Sequence, residues 1–327
     1  MAFFAKNRIF LALAVSGQLL AAPGFAAEAL KVADSNVRHV STGFTGTINR
    51  IEEPKGVTAE DVRRALNPGK LRLGSSSALV MDQREGVMLY EKQGDWQTPI
   101  ASVTKLMTAM VVLDAKLPLD QGIRVTPEDR DTLRGSHSRL RFGVTLSRYD
   151  MLHMALAASE NRAAASLARA YPGGTRAFVA AMNEKAASLG MTKTHFLDST
   201  GLNANNVSTA QDLAKMVNAS YGYALIREFS TSARDSVTDL RTGRPIAFMN
   251  TNALIRKQRE EWSIGLSKTG YITDSGYCLV MQAEIADRPV VIVLLNSQGK
   301  QTKIADANRI RQWLTTTERR LAALANA

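Results

Sequence analysis

Two kinds of apolar pattern alternate along the chain. Residues 78–81 and 87–90 are short apolar runs separated by Asp82-Gln83-Arg84-Glu85-Gly86, which predicts two strands joined as a hairpin. Residues 278–285 and 290–295 repeat that pattern near the other end, around a turn at Asp287-Arg288. Between these runs the spacing becomes helical. Pro99-Ile100-Ala101 introduces a segment rich in Leu, Met and Ala that predicts a buried helix over 102–113. Ser147 with Asp150 has the spacing of a capping box, and Leu146 with Met151 that of a hydrophobic staple; helix 148–157 is expected to follow. A second helix over 161–170 comes after a polar kink at Ser159-Glu160. Pro172-Gly173-Gly174 breaks the chain, Thr175 is placed to cap a helix reaching 189, and Gly190 closes it. Residues 304–314 read as an amphipathic helix.

Strands at both ends and helices in the middle predict an α/β fold, in which one sheet is assembled from distant parts of the chain around a helical insert. Before residue 74 the pattern is mixed and polar. One helix is expected there, capped by Thr58 with Asp61 three residues on and stopped by Asn67-Pro68-Gly69. The segment 27–73 is therefore read as an N-terminal extension at the edge of a main domain over 74–327. The segment 1–26 carries Lys6 and Arg8, then an apolar run over 9–15, then small residues around Gly24, Ala26 and, just beyond, Ala27. That order is the order of a cleaved export signal, and the run is too short to span a bilayer.

Composition narrows the class. Hydrophobic residues at 45% and charged residues at 22% are ordinary for a globular protein and exclude a disordered one. The formal charge is +11; without Lys6 and Arg8 it is still +9, because the segment 1–26 holds no Asp or Glu. In an exported protein such a surplus favours cell-wall polymers or anionic headgroups, not nucleic acid. Cys278 is the only cysteine, so no internal disulfide forms and none lies near the cleavage site to carry a lipid. No later stretch is apolar for long enough to cross a bilayer, so the mature protein is expected in the periplasm without a transmembrane anchor.

Three short motifs carry candidate chemistry. Ser102 stands at the expected start of a helix, where backbone donors and the helix dipole favour an attacking oxygen. Lys105, three residues on, shares its face. A lysine acts as a base only when burial or a neighbouring cation lowers its pKa, and Leu106, Met107 and Met110 can supply that burial. Ser159-Glu160-Asn161 lies in the kink between two helices, where Ser159 and Asn161 can face a cleft while Glu160 turns away. Lys268-Thr269-Gly270 enters the strand region before Cys278 and offers an extended peptide a cation, a hydroxyl and close backbone approach. Each motif alone has an ordinary explanation: a solvated lysine, a helix cap, a strand-end turn. Their shared order and spacing change this, since the three open at Ser102, Ser159 and Lys268 in turn, as one catalytic scheme requires.

In that order the motifs resemble those of the penicillin-recognising serine enzymes, Ser-x-x-Lys, Ser-x-Asn and Lys-Thr-Gly. The segments Ser77-Ala78-Leu79-Val80-Met81-Asp82, Pro99-Ile100-Ala101-Ser102-Val103-Thr104-Lys105-Leu106-Met107-Thr108-Ala109 and His195-Phe196-Leu197-Asp198-Ser199-Thr200-Gly201-Leu202 are similar to low-molecular-mass DD-peptidases over about residues 74 to 315. The resemblance implies a DD-peptidase/β-lactamase-like fold, a mainly antiparallel sheet flanked by helices with a helical subdomain. It makes Ser102 the acylated nucleophile, Lys105 its base, Ser159 a proton relay to the leaving amine and Asn161 a holder of the substrate amide. Lys268 and Thr269 would bind the terminal carboxylate, with Arg256 as a candidate helper, and the backbone N–H groups of Ser102 and Tyr271, beside Gly270, would form the oxyanion hole. No metal or organic cofactor is implied.

The middle residue of the second motif is Glu160, where class A β-lactamases have Asp, and no Glu-x-x-x-Asn loop follows Asn161; efficient β-lactam hydrolysis is not expected. The chain ends at Ala327, soon after Gly270, a short form similar to the endopeptidase branch, which cuts D-alanyl crosslinks between peptidoglycan stem peptides. β-Lactam antibiotics would be covalent inhibitors. Carboxypeptidase action on the same site, or a non-catalytic penicillin-sensing or wall-binding module, are the alternatives. A triad of His195, Asp198 and Ser199 is disfavoured by crowding in one turn and by the lack of a Gly-x-Ser-x-Gly elbow. His39, His137 and His153 have no metal-ligand partners at recognisable spacing.

Overall fold

A computed structural model describes residues 57–257 and 261–325. The segment expected to be an export signal, and the start of the segment expected to be an extension, lie outside the described residues. In chain order the elements are α1 (Ala59–Ala65), β1 (Ser75–Asp82), β2 (Met88–Lys92), β3 (Thr98–Pro99), α2 (Thr104–Asp114), β4 (Gly122–Arg124), β5 (Thr145–Ser147), α3 (Arg148–Ala157), α4 (Asn161–Arg169) and α5 (Gly174–Ser188). Then come β6 (Val207–Ser208), α6 (Ala210–Tyr221), α7 (Ala224–Thr231), β7 (Arg234–Thr238), β8 (Pro245–Met249), α8 (Ala253–Arg256), β9 (Ser263–Ile272), β10 (Gly276–Ile285), β11 (Arg288–Ser297) and α9 (Thr302–Ala325).

Strands from the two ends of the chain meet in one five-stranded antiparallel sheet of order β2-β1-β11-β10-β9. Its central strands are nearly continuous apolar runs because both faces are covered. Ala78, Val80, Leu279, Met281, Ile292 and Leu294 pack with Ala59 and Val62 of α1 and with Ala307, Ile310 and Leu314 of α9. The alternate residues, among them Leu79, Val280, Val291 and Val293, pack against Leu106, Met110, Leu213 and Val217 of the helical side. Period-two alternation thus sends successive side chains of one strand into two cores. β9 ends the sheet, which leaves one of its edges towards the helical insert.

Several local expectations change. Residues 101–103 form a separate 3-10 turn before α2, so Ser102 precedes the helix instead of opening it. Ser147 accepts from the Asp150 backbone N–H at 3.0 Å, which is half of a capping box. Thr175 does not cap α5; the helix begins at Gly174 after Gly173 in the left-handed region, which a glycine enters without cost. Lys268, Thr269 and Gly270 lie well inside the ten-residue β9, not at its entry. The predicted strands and the last helix are longer than their apolar cores, α9 by more than a turn at its far end. Helices α6 and α7 and the β7–β8 hairpin carry no sequence expectation at all.

Candidate active site

Three elements bring the motifs to one cleft of about 470 Å³. The turn before α2 supplies Ser102, the α3–α4 kink supplies Ser159 and Asn161, and β9 supplies Thr269, Gly270 and Tyr271. Two residues there hold the left-handed backbone that side chains avoid, Ala101 at φ 47° and Ser159 at φ 58°. Each costs about 1–3 kcal/mol, so the surroundings must enforce it. At Ala101 that enforcement is visible. Ile100 N–H donates to the Asn206 carbonyl at 3.1 Å, and the Thr104 hydroxyl donates back to the Ala101 carbonyl at 2.8 Å. Gly270 of β9 lies so near that a Cβ on it would stand 2.9 Å from Ile100 O and 3.1 Å from Ser102 N.

Lys105, one helical turn after Ser102, is fully buried and donates to Ser102 Oγ at 2.9 Å, Asn161 Oδ1 at 2.7 Å and the Thr200 carbonyl at 2.6 Å. No carboxylate pairs with it among the described residues. Burial pulls its amine down to about 7, against the opposing pull of Asp198, Glu160 and Asp131. Lys268 is also buried; it donates to Ser159 Oγ at 2.8 Å and to its neighbour's carbonyl, Thr269 O, at 2.9 Å. Burial first, then the like charges of Lys105 and Lys303, holds it well below the usual lysine range. Two serine–lysine pairs therefore stand beside one cleft, Ser102 with Lys105 and Ser159 with Lys268.

The neighbouring groups orient these side chains. Asn161 Nδ2 donates to Ser136 Oγ at 2.9 Å, which turns its carbonyl oxygen to Lys105. Ser136 is held in turn by Asp131, which accepts its backbone N–H at 2.8 Å. Glu160 does face away: its side chain is buried and accepts from Arg139 N at 3.2 Å and, as the cap of α4, from Arg162 N at 3.4 Å. Arg256 lines the cleft, its Nη1 donating to the Asn250 and Thr251 carbonyls. Thr269 donates to Thr251 Oγ1 at 2.6 Å. Tyr271 is half exposed, 52%, and stacks on Tyr277 with ring centroids 4.2 Å apart.

The segment singled out at 195–202 reaches the site through its backbone. Asp198 gathers the N–H groups of Thr200 and Gly201 on one oxygen, both at 2.6 Å, and that of Asn203 on the other at 2.8 Å. The loop so formed delivers the Thr200 carbonyl to Lys105. A carbonyl is common to every residue, so sequence reasoning could not find this ligand; the Asp-x-x-Gly loop was its one signal. The same contacts dissolve the His195, Asp198, Ser199 alternative, since Ser199 Oγ donates to Ala164 O at 3.0 Å and the His195 backbone pairs with Val207. Lys303 and Tyr277 also line the cleft, and no motif in the sequence marks them.

The comparisons with known proteins agree with this geometry. The chain is 48% identical over 260 residues to a D-alanyl-D-alanine endopeptidase of Pseudomonas aeruginosa, covering 80% of this chain and 83% of that one. It is 47% identical over 244 residues to a D-alanyl-D-alanine endopeptidase of Escherichia coli, covering 75% and 78%. Among solved structures a Streptomyces DD-transpeptidase superposes with a TM-score of 0.68 at 27% identity over 75% of this chain and 98% of that one. An ampicillin-bound penicillin-binding protein of Listeria monocytogenes does so at 0.64 and 27%, with the same coverage. The family model described as D-alanyl-D-alanine carboxypeptidase, peptidase family S11, matches residues 63–299, and the chain belongs to that family of serine-type DD-peptidases.

Proposed function

We propose that the chain is a D-alanyl-D-alanine endopeptidase that opens peptidoglycan crosslinks through an acyl-enzyme on Ser102. The observation that carries the reading is the buried Lys105 amine, about 7 and 2.9 Å from Ser102 Oγ. A lysine so placed is a base at neutral pH without a metal or a histidine. Ser102 Oγ attacks the D-alanyl carbonyl and its proton passes to Lys105 Nζ. The oxyanion rests on the backbone N–H groups of Ser102 and Tyr271, brought together by the close approach at Gly270. The C–N bond then breaks, and the proton that Lys105 accepted passes to the leaving amine through Ser159, whose hydroxyl is held by Lys268, which leaves Lys105 neutral again. Asn161 holds the substrate amide. The carboxylate beside the scissile bond meets Thr269, which turns its hydroxyl from Thr251, with Lys268 and Arg256 beside it. Water then attacks the ester, Lys105 takes its proton, and Ser102 is restored.

A β-lactam enters by the same attack, but its leaving nitrogen stays tethered. The tethered amine stays in the path of the water that Lys105 would activate, and no carboxylate of the described residues lines the cleft to activate water from elsewhere, so the adduct persists. Removal of the terminal D-alanine by the same cleft is the second reading, favoured by the carboxypeptidase description of the matching family model. Residues 1–26 would direct export to the periplasm and be removed there.

Digestion of purified crosslinked muropeptides, with products identified by mass, tests the reading. Monomers should accumulate faster than peptides lacking one D-alanine, and labelled penicillin should map to Ser102. A label that survives in Ser102→Ala would refute the acyl-enzyme assignment.

A further inference from the structure

Beside the catalytic cleft lies a second, smaller cavity of about 160 Å³ between α8 and the start of α9, and the two share Thr251, Arg256, Thr269, Lys300 and Lys303. The smaller cavity adds Lys257. Its charged lining is thus wholly basic: Arg256, Lys257, Lys300 and Lys303, with no carboxylate among the described residues. None of the four forms an ion pair with a described residue. Exposed lysines need none, but Lys303 is only 6% exposed. Among the described residues its amine has one hydrogen bond, to Cys278 O at 3.1 Å, and it lies 5.5 Å from the centre of the Tyr277 ring.

A buried ammonium without a counter-ion is unfavourable, and burial here draws Lys303 down to about 8. The cavity also opens at the N-terminal end of the 24-residue α9, where the first-turn N–H groups and the helix dipole favour an anion. Each feature would be relieved by the same event, the arrival of a carboxylate.

Resting on the endopeptidase reading above, we infer that this cavity is a subsite for a second carboxylate, one carried by the leaving peptide of a crosslink. The chemistry of the two substrates separates them. A terminal D-alanine leaves with one carboxylate, which the Thr269 end of the cleft already takes. The strand released from a crosslink bears that carboxylate and further ones along its stem, and the side cavity adjoins the cleft at Thr269. The subsite therefore sets the preference for crosslinks over free pentapeptide ends.

The test compares kcat/KM on a crosslinked muropeptide dimer and on a D-alanyl-D-alanine-terminated pentapeptide for the wild type, Lys257→Gln and Lys257→Glu, with the penicillin acylation rate as a check of folding. The variants should lose at least about tenfold on the dimer, mainly through KM, and far less on the pentapeptide. A dimer whose leaving strand has its stem carboxylates amidated should lose the same factor in the wild type and nothing more in the variants. Equal losses on both substrates, or an unchanged ratio, would overturn the subsite. A wild type that cleaves the pentapeptide but not the dimer would overturn the endopeptidase reading itself, before any variant is compared.

Discussion

Gly201 presses on the Ala101 carbonyl so closely that a Cβ added to it would stand 1.9 Å from the oxygen and 2.8 Å from Ser102 N. It does so with a φ of 80°, a conformation glycine adopts freely. The loop that carries the Thr200 carbonyl to Lys105 and the turn that presents Ser102 are thus packed backbone to backbone.

Gly201→Ala should therefore both destabilise the fold, by roughly 3 kcal/mol or more, and displace the nucleophile. Gly190→Ala is the control, with a φ of 68° but nothing within 4 Å of the new Cβ; it should cost only about 1 kcal/mol and leave acylation intact. Denaturant unfolding and penicillin acylation rates check both, and similar behaviour of the two variants would show that the contact at Ala101 does not matter.

Acylation should rise about tenfold per pH unit below pH 7 and level off above it, because Lys105 accepts a proton only when neutral and its amine is held at about 7. Lys105→Arg stays charged throughout and should lose acylation nearly as fully as Lys105→Ala. Stopped-flow acylation across pH decides this. A near-normal Lys105→Arg enzyme would make Lys105 an electrostatic support and move the base elsewhere.

Asp198→Asn should shift the rising limb of that profile to lower pH. The Asp198 charge raises the Lys105 amine against the effect of burial, so its removal lets the pKa fall further. The loop should loosen as well, since the amide nitrogen that replaces one oxygen cannot accept from Asn203 N–H; the loss is about 1–3 kcal/mol. A midpoint that stays in place or rises would refute the electrostatic link.

Retention on isolated sacculi of the protein prepared without residues 1–26 should fall as salt rises, because its formal charge of +9 is attracted through a medium whose screening length shrinks to about 3 Å at 1 M salt. Pull-down at low and high ionic strength measures it. Equal retention at both would assign wall binding to the cleft alone.

Much of the α/β plan was legible in the chain because both sheet faces are buried. Such strands read as apolar runs at positions such as 78–81 and 290–295, and the insert shows the wider helical spacing. The elements that escaped are those whose stability is tertiary. Both β7 and β8 are largely exposed, β7 nearly all polar and β8 all apolar, so no alternation marks either. β9 is interrupted by Ser267, Lys268 and Thr269, polar residues that tolerate burial because Asn252, Ser159 and Thr251 supply their side-chain partners.

The covalent chain alone singles out the candidate side chains: Ser102, Lys105, Ser159, Asn161 and Lys268 are recognisable because type, order and spacing are properties of the sequence. The tertiary structure alone decided that Lys105 is sealed from water, that the Thr200 carbonyl rather than a carboxylate receives it, and that Lys303 is buried beside an all-basic cavity. The physical reason is that a pKa and a binding preference depend on desolvation and on neighbours remote along the chain, often on their anonymous backbone atoms. Spacing along the chain carries no record of either.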